Sequence, residues 1–176
     1  DAMDYVVGYT IANDVSARDW IPDIKSGEPP FGPIHGWERN ILGKNLPGFT
    51  PCGPVIVTKD EISDPQALAI KLWVNGQLRH DYNTDDMEHL IPEIIEFTTS
   101  VTPLLTGDII ACGTNHQGLG PLQDGDTGTI SITEIGEFSF SVSDPYKRNW
   151  KKEVDEIAAE RVRKGESPLA NQYPSK

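Results

Sequence analysis

The groups best suited to chemistry follow an apolar segment near the start of the chain. Residues 5–12 read YVVGYTIA, which predicts a strand covered on both faces, and Asn13 and Asp14 come directly after it. A carboxylate buried at such a strand end must be paired or bound to a metal ion, because its bare charge is costly to remove from water. Asp14 is therefore a candidate ligand for a hard metal ion. The alternative is a turn in which Asp14 or Asp19 forms an ion pair with Arg18.

A lysine and a glycine-rich loop offer groups that suit an anionic substrate. Lys44 follows a proline-rich segment, where its ammonium group could neutralise a carboxylate or polarise a carbonyl, or simply be solvated. The run Gly113-Thr114-Asn115-His116-Gln117-Gly118 comes directly after a predicted strand, so backbone N–H groups and the Thr114 hydroxyl could surround an anion. A plain turn, with His116 as an ordinary loop histidine, accounts for the same residues.

The long segment over residues 21–42 contains an imidazole and a carboxylate three residues apart. Its prolines and glycines prevent regular pairing and predict a surface loop, and loops of this length are usually functional or mobile. The spacing of His35 and Glu38 suits a general base and the group that orients it. The alternative is that neither side chain takes part in chemistry.

Short strands and tight turns must position these groups. Strands are predicted over residues 52–58, 68–74, 77–82, 109–112, 128–133 and 138–142, and the first of these is predicted to be buried like residues 5–12. Asn75-Gly76 predicts a two-residue hairpin turn, because both residue types tolerate positive φ. Pro92 fits the first position of a helix that ends near Ser100, and residues 150–164 predict a second helix that Gly165 ends. The predicted fold class is α+β, rich in β-structure, with few short helices.

Composition excludes several classes of function. The 176 residues carry 15 basic and 27 acidic side chains, and the net charge of -12 repels phosphate backbones, so we expect no nucleic-acid partner. No run approaches the roughly 18 to 20 apolar residues that cross a bilayer, and residues 1–8 lack a signal-peptide pattern, so we expect no membrane partner and a cytoplasmic setting. Cys52 and Cys112 are far apart and are predicted to be reduced, buried thiols.

The order of several segments resembles the fumarylacetoacetate hydrolase family over roughly residues 1–142. The segments are GYTIANDVSARDW, a loop, GKNLPGFTPCGPVIVTKDEI, LWVNGQLRHDYNTDDM and LLTGDIIACGT. Each motif alone is weak, but the combination is specific. The resemblance implies a mixed β-roll, similar to a β-barrel, over residues 1–145, followed by a C-terminal helix and tail over residues 146–176. It also implies a homodimer.

The resemblance further implies a divalent cation, Mg²⁺ or else Mn²⁺ or Ca²⁺, that carboxylates hold against the oxygens of a small 2-oxo acid or 1,3-diketone. Hard ions of this kind prefer oxygen ligands. Matched by position, Asp14 falls on the family's metal-binding aspartate, and Arg18 on the arginine that braces it. Lys44 matches the lysine near the bound substrate. Thr114, with the amide of Gly113, matches the turn that binds the substrate's carboxylate or carbonyl end.

Two parts of the family pattern are absent from the sequence. The family normally has a Glu-x-Glu pair that completes the metal shell and a lid His-Glu dyad that prepares water, both before the region matched here. We expect that the chain is a fragment of a longer protein. The alternatives are that a partner chain supplies these groups or that catalysis has been lost. His35 and Glu38 are candidates for a replacement dyad.

The first expectation for function is hydrolysis of a C–C bond in a 1,3-diketone or acylpyruvate-like 2-oxo acid. In such a reaction the metal acts as a Lewis acid that stabilises an enolate. Without an activated water, the same enolate supports decarboxylation, hydration, dehydration or isomerisation, which is the second expectation. The third is a non-catalytic subunit that needs a partner chain for its metal ligands.

Overall fold

Two antiparallel sheets form the main body of the protein. The computed structural model describes residues 1–17, 41–149, 154 and 156–165. Strands β1 (Gly8–Ala12) and β2 (Cys52–Thr58) form a two-stranded sheet. A second sheet has the order β4-β3-β5-β6, from the strands Ala69–Val74 (β3), Gln77–Asn83 (β4), Thr127–Ile132 (β5) and Gly136–Ser141 (β6). This is the β-rich α+β fold that the sequence predicts.

The helices are short, as expected. Helix α1 spans Ile91–Val101, with Pro92 in its first turn, and buries Ile91. Helix α2 spans Glu156–Arg163, and Gly165 follows it with a φ of +71°, as predicted for a residue that ends a helix. The predicted beginning of this helix at Trp150 lies outside the described residues. Residues 41–44 are also helical, and 3₁₀ turns occur at Ala2–Tyr5 and Thr84–Asp86. None of the described helices has both the length and the apolarity to cross a bilayer.

The hairpin between β3 and β4 is confirmed. Asn75 and Gly76 have φ values of 49° and 79°, as a two-residue hairpin turn requires. The Asn75 amide donates to the Asp126 carboxylate at 2.8 Å and accepts from the Thr127 N–H at 2.9 Å. The turn therefore also fixes the start of β5, which pairs with β3.

The prediction of strands covered on both faces was wrong for residues 52–58 and for the start of the segment 5–12, whereas the residues of Gly8–Ala12 are buried or partly buried. The first strand begins at Gly8 rather than Tyr5, because the preceding residues form a 3₁₀ turn that the Asp1 side chain caps. Exposed fractions are 84% for Tyr5, 53% for Val55 and 66% for Ile56. Val55 and Ile56 are neighbours and point to opposite faces of β2, so a sheet of two strands leaves both faces open.

The core joins the two sheets. It contains the buried residues Ile11, Ile62, Leu68, Ile130 and Ile135, with Phe138 and Phe140 packed against them. Ile11 belongs to β1 and Ile130 to β5, so the core anchors the strand that leads to Asp14.

The strand predicted over residues 109–112 does not form, and Ile109 is exposed. The segment that follows it approaches β4 through side chains: the Gln117 amide oxygen accepts from the Asp81 N–H at 3.4 Å. An apolar run such as residues 109–112 does not specify a pairing partner, and no backbone ladder forms there. The thiols of Cys52 and Cys112 are free, but both residues are exposed, so the prediction that they are buried was wrong.

Candidate functional site

Asp14 and Lys44 are brought together at the end of β1. Beyond the strand, the backbone of residues 13–17 continues along residues 43–51, with hydrogen bonds from the N–H groups of Asn13, Val15 and Ala17 to the carbonyls of Pro51, Phe49 and Gly43 at 2.9–3.0 Å. This pairing brings the segment that carries Lys44 alongside the segment that carries Asp14. The Lys44 ammonium forms an ion pair with the Asp14 carboxylate and also donates to the Ser16 hydroxyl at 2.8 Å.

The Asp14–Lys44 pair is open to solvent. The Lys44 side chain is 38% exposed and the Asp14 side chain 47% exposed. An ion pair with this much water around it contributes only about 0 to 1 kcal/mol to stability. Both groups are therefore available to a ligand at little cost to the fold.

Asp14 fits a hard cation as one ligand, but the described residues do not complete a shell. Within residues 1–17, 41–149, 154 and 156–165 no group of three or more His, Cys, Asp or Glu side chains gathers. Mg²⁺ and Ca²⁺ need about six or more oxygen ligands. A shell of three or more carboxylate or imidazole ligands around a cation at Asp14 would need groups from outside the described residues, while water and substrate oxygens could fill other positions.

Thr114 lies in a second hydrogen-bonded cluster, at the end of β4. Its hydroxyl is 2.9 Å from the Tyr82 hydroxyl. The next residue, Asn115, donates from its side chain to the Asp86 carboxylate at 2.6 Å. Gly113 has a φ of +87°, a conformation that glycine adopts without strain. The predicted Gly113-Thr114 turn is thus fixed against β4.

Two residues of this cluster, His80 and Tyr82, were missed by the sequence interpretation. Burial lowers the pKa of His80 from 6.5 to about 4, and the charges of His116 and Arg79 act in the same direction. Burial also raises the pKa of Tyr82 above its ordinary value of 10.0. Both side chains are therefore neutral near pH 7. The sequence contained one signal for this pair. His80 and Tyr82 are two residues apart on a predicted strand, so their side chains share one face.

The segment before Thr114 lies close to β1. Burial raises the pKa of Tyr9 in β1, and the nearby Cys112 thiol and Asp64 carboxyl raise it further. Within the part of the chain that the structure describes, no hydrogen bond or ion pair joins Thr114 to Asp14 or Lys44.

The predicted site residues thus divide into three groups. Asp14 and Lys44 contact each other, whereas Gly113 and Thr114 belong to the cluster at the end of β4. Arg18, His35 and Glu38 lie outside the described residues. The described members could bind a small anion or a cation. Their contacts do not place a nucleophile beside a base.

Comparison with known proteins gives one family. The profile described as "Fumarylacetoacetate (FAA) hydrolase C-terminal" matches residues 1–143. An oxaloacetate tautomerase of Xenopus laevis is 40% identical over 146 residues, which cover 79% of this chain and 42% of that protein.

Two crystal structures are also similar. The 5-carboxymethyl-2-hydroxymuconate delta-isomerase from Mycobacterium smegmatis is 37% identical with a TM-score of 0.67, over 85% of this chain and 51% of that one. The maleylpyruvate hydrolase from Sphingobium sp. SYK-6, in complex with manganese(II) ion and pyruvate, is 43% identical with a TM-score of 0.56, over 58% of this chain and 39% of that one.

This chain spans about half the length of these relatives, or less. The relatives are named for different reactions. The matched profile covers most of the chain, and the similar sequences and structures belong to the same family. The chain belongs to the fumarylacetoacetate hydrolase family.

Proposed function

We propose that this protein is a divalent-metal-dependent enzyme that acts on a small 2-oxo acid or 1,3-diketone, with Asp14 as one metal ligand. The observation that carries the proposal is the contact between Asp14 and Lys44, which are thirty residues apart in sequence and meet at a solvent-open strand end. A carboxylate beside an ammonium group offers one site for a cation and one for an anion. The relative solved with manganese and pyruvate supports this combination of ligands.

Each described residue has a distinct proposed role. A cation held by Asp14 would withdraw electron density from substrate oxygens. Lys44 would neutralise the carboxylate of the substrate, and the Gly113 amide and the Thr114 hydroxyl would bind its carboxylate or carbonyl end. Among the residues that the structure does not describe, Arg18 would brace Asp14, and His35 with Glu38 would prepare a water molecule.

The reaction class has two candidates. Hydrolysis of a C–C bond is the first, and a relative named maleylpyruvate hydrolase supports it. Tautomerisation, isomerisation or decarboxylation of a 2-oxo acid is the second, and relatives named as an oxaloacetate tautomerase, a delta-isomerase and a bifunctional isomerase/decarboxylase support it. The two candidates differ in whether a water molecule enters the product. A cytoplasmic, homodimeric enzyme remains part of the proposal.

The test is a set of turnover assays on the purified protein. Oxaloacetate reports enol–keto conversion and decarboxylation, and maleylpyruvate reports hydrolysis. Each substrate is assayed with Mg²⁺ or Mn²⁺ and again after the cation is removed with a chelator. We expect turnover of at least one substrate that chelation abolishes and Mn²⁺ restores. Turnover that is unchanged by chelation would contradict the metal-dependent proposal, and binding of neither cation nor substrate would favour the non-catalytic alternative.

A further inference from the structure

The buried polar residues at the end of β4 do more than close the sheet. Tyr82 contacts the loop that follows residue 113: its hydroxyl is 2.9 Å from the Thr114 hydroxyl, and its side chain lies near the backbone of Asn115. We propose that Tyr82 is a positioning residue that aims the Thr114 hydroxyl, as a hydrogen-bond donor, at the carboxylate or keto oxygen of a small 2-oxo acid. This inference rests on the proposed function.

The direction of the hydrogen bonds follows from the number of protons available. A phenol and a threonine hydroxyl each have one O–H proton and can also accept. The Thr114 hydroxyl donates to the Asn115 carbonyl at 3.3 Å, so the proton between the two hydroxyls comes from Tyr82. Among the described residues, the contact with the Asn115 carbonyl is long for an O–H donor, and a substrate oxyanion can replace it.

His80 fixes the other side of the same backbone. Its imidazole lies near the backbone of Asn115, and its ring packs edge-on against Tyr82 with the centroids 6.0 Å apart. Only 7% of His80 is exposed. Two aromatic side chains of β4 thus lie against the backbone of Asn115.

The remainder of the loop is also attached to its surroundings. The Asn115 side chain donates to the Asp86 carboxylate at 2.6 Å and accepts from the Gln117 N–H at 2.9 Å. Gly118 lies so close to β4 that a Cβ atom there would be 1.7 Å from the carbonyl oxygen of Arg79. Loss of the Tyr82 hydroxyl should therefore change the aim of Thr114 without releasing the whole loop.

The test compares Tyr82→Phe, Thr114→Val and the double variant in pyruvate binding, measured by calorimetry with Mn²⁺ present. One hydrogen bond of this kind predicts roughly 3- to 30-fold weaker binding for each single variant. If Tyr82 acts through Thr114, Tyr82→Phe has little further effect once Thr114 is valine. Tyr146→Phe is the matched control, because Tyr146 is 82% exposed and lies outside this cluster, and it should bind pyruvate as the wild type does.

A second measurement does not depend on the ligand. Amide hydrogen exchange at Asn115 should be roughly 3- to 30-fold faster in Tyr82→Phe and unchanged in Tyr146→Phe. Unchanged exchange in Tyr82→Phe would overturn the inference, as would equal weakening by Tyr82→Phe in the presence and absence of the Thr114 hydroxyl. If exchange responds but the wild type binds no pyruvate, the choice of ligand and the proposed function are wrong, and the hold of Tyr82 on the turn stands.

Discussion

His80 is a buried histidine whose neutral form supports the loop that carries Thr114. Its ring is almost fully covered, and His116 and Arg79 add positive charge nearby, so a proton on the ring is unfavourable. The nearby Asn115 backbone opposes this effect only in part.

The buried His80 should make the protein less stable in acid. Its pKa is lowered from 6.5 to about 4 on folding, so between these values the unfolded chain binds a proton that the folded chain does not. The stabilising contribution is complete above the unfolded value and is lost as the pH falls toward 4. The expected loss in the free energy of unfolding between about pH 7 and about pH 4.5 is roughly 2 to 3 kcal/mol, measured by urea denaturation.

The control for this prediction is His80→Asn, whose side chain does not titrate. The variant should be less stable at neutral pH and should show a shallower decline of stability in acid, because the exposed carboxylates are the same in both proteins. Parallel declines of the two proteins would show that His80 does not titrate as described.

Lys44 competes with a cation for Asp14. Removal of the Lys44 ammonium group should therefore have opposite effects on the affinities for the cation and for the 2-oxo acid. Lys44→Met removes a positive charge beside Asp14, and we expect Mn²⁺ to bind up to about 5-fold more tightly, as the modest energy of an exposed ion pair allows. Pyruvate should bind about 10-fold more weakly, because a charge-assisted hydrogen bond to its carboxylate is lost. Calorimetric titrations with each ligand check both signs.

Lys71→Met is the matched control for Lys44→Met. Lys71 forms an ion pair with Asp81 at 3.4 Å, and the two side chains are 46% and 50% exposed, similar to the Asp14–Lys44 pair. The control should leave both affinities unchanged. Weaker Mn²⁺ binding in Lys44→Met would contradict the competition between Lys44 and the cation.

The contact between the 113–118 loop and β4 depends on a glycine. At Gly118 a Cβ atom would overlap the Arg79 backbone, whereas Gly76 in the β3–β4 turn has open space around it and a φ of +79°. Gly76→Ala should therefore destabilise by about 1 kcal/mol, the cost of placing alanine at positive φ. Gly118→Ala should destabilise by about 3 kcal/mol or more, because the loop must move away from the strand. Urea denaturation of both variants measures the difference, and equal values would contradict the close approach.

Local rules of sequence predicted the elements that short-range chemistry determines. The Asn75-Gly76 turn and the beginning of α1 follow from backbone preferences of two or three residues; the turn is confirmed, and the helix begins at Ile91, one residue before the predicted Pro92. The strand over residues 109–112 failed, because an apolar run does not specify its pairing partner. The cover predicted for β2 failed for a related reason: the hydrophobicity of Val55 and Ile56 does not reveal what packs on them.

The site was only partly accessible from the sequence. The resemblance singled out Asp14 and Lys44 separately, but their contact depends on pairing between residues 13–17 and residues 43–51, which no local pattern encodes. Tyr82 was treated as part of a strand, because its role depends on the position of Thr114, thirty-two residues further along the chain. Their assigned roles in binding remain predictions.

The open faces of β2 bear on the assembly of the whole protein. A two-stranded sheet with exposed apolar residues on both faces is unstable alone, so we expect these residues to be covered in the assembled protein. If a homodimer covers Ile56, the wild-type protein should sediment as a dimer at micromolar concentration. The variant Ile56→Lys should shift the equilibrium toward the monomer. Ser143→Lys, a substitution at an exposed serine outside the strands, is the control. A monomeric wild-type protein would contradict the proposed homodimer.

The net charge of -12 makes the proposed site depend on its own positive charges. Such a field repels an anionic 2-oxo acid, so binding requires local compensation. Lys44 supplies one positive charge, and a divalent cation at Asp14 would supply more. The same field raises the local concentration of cations, which favours occupancy of a site at Asp14.

Mn²⁺ binding to the wild type and to Asp14→Asn, followed by electron paramagnetic resonance, tests the metal assignment most directly. The asparagine keeps the size of the side chain but removes its charge. We expect at least about 100-fold weaker binding in this variant, because loss of groups that merely support a ligand already costs about 10- to 100-fold. Asp4→Asn, at a side chain that is 78% exposed, should bind Mn²⁺ as the wild type does. Equal Mn²⁺ affinity in wild type and Asp14→Asn would contradict the role of Asp14.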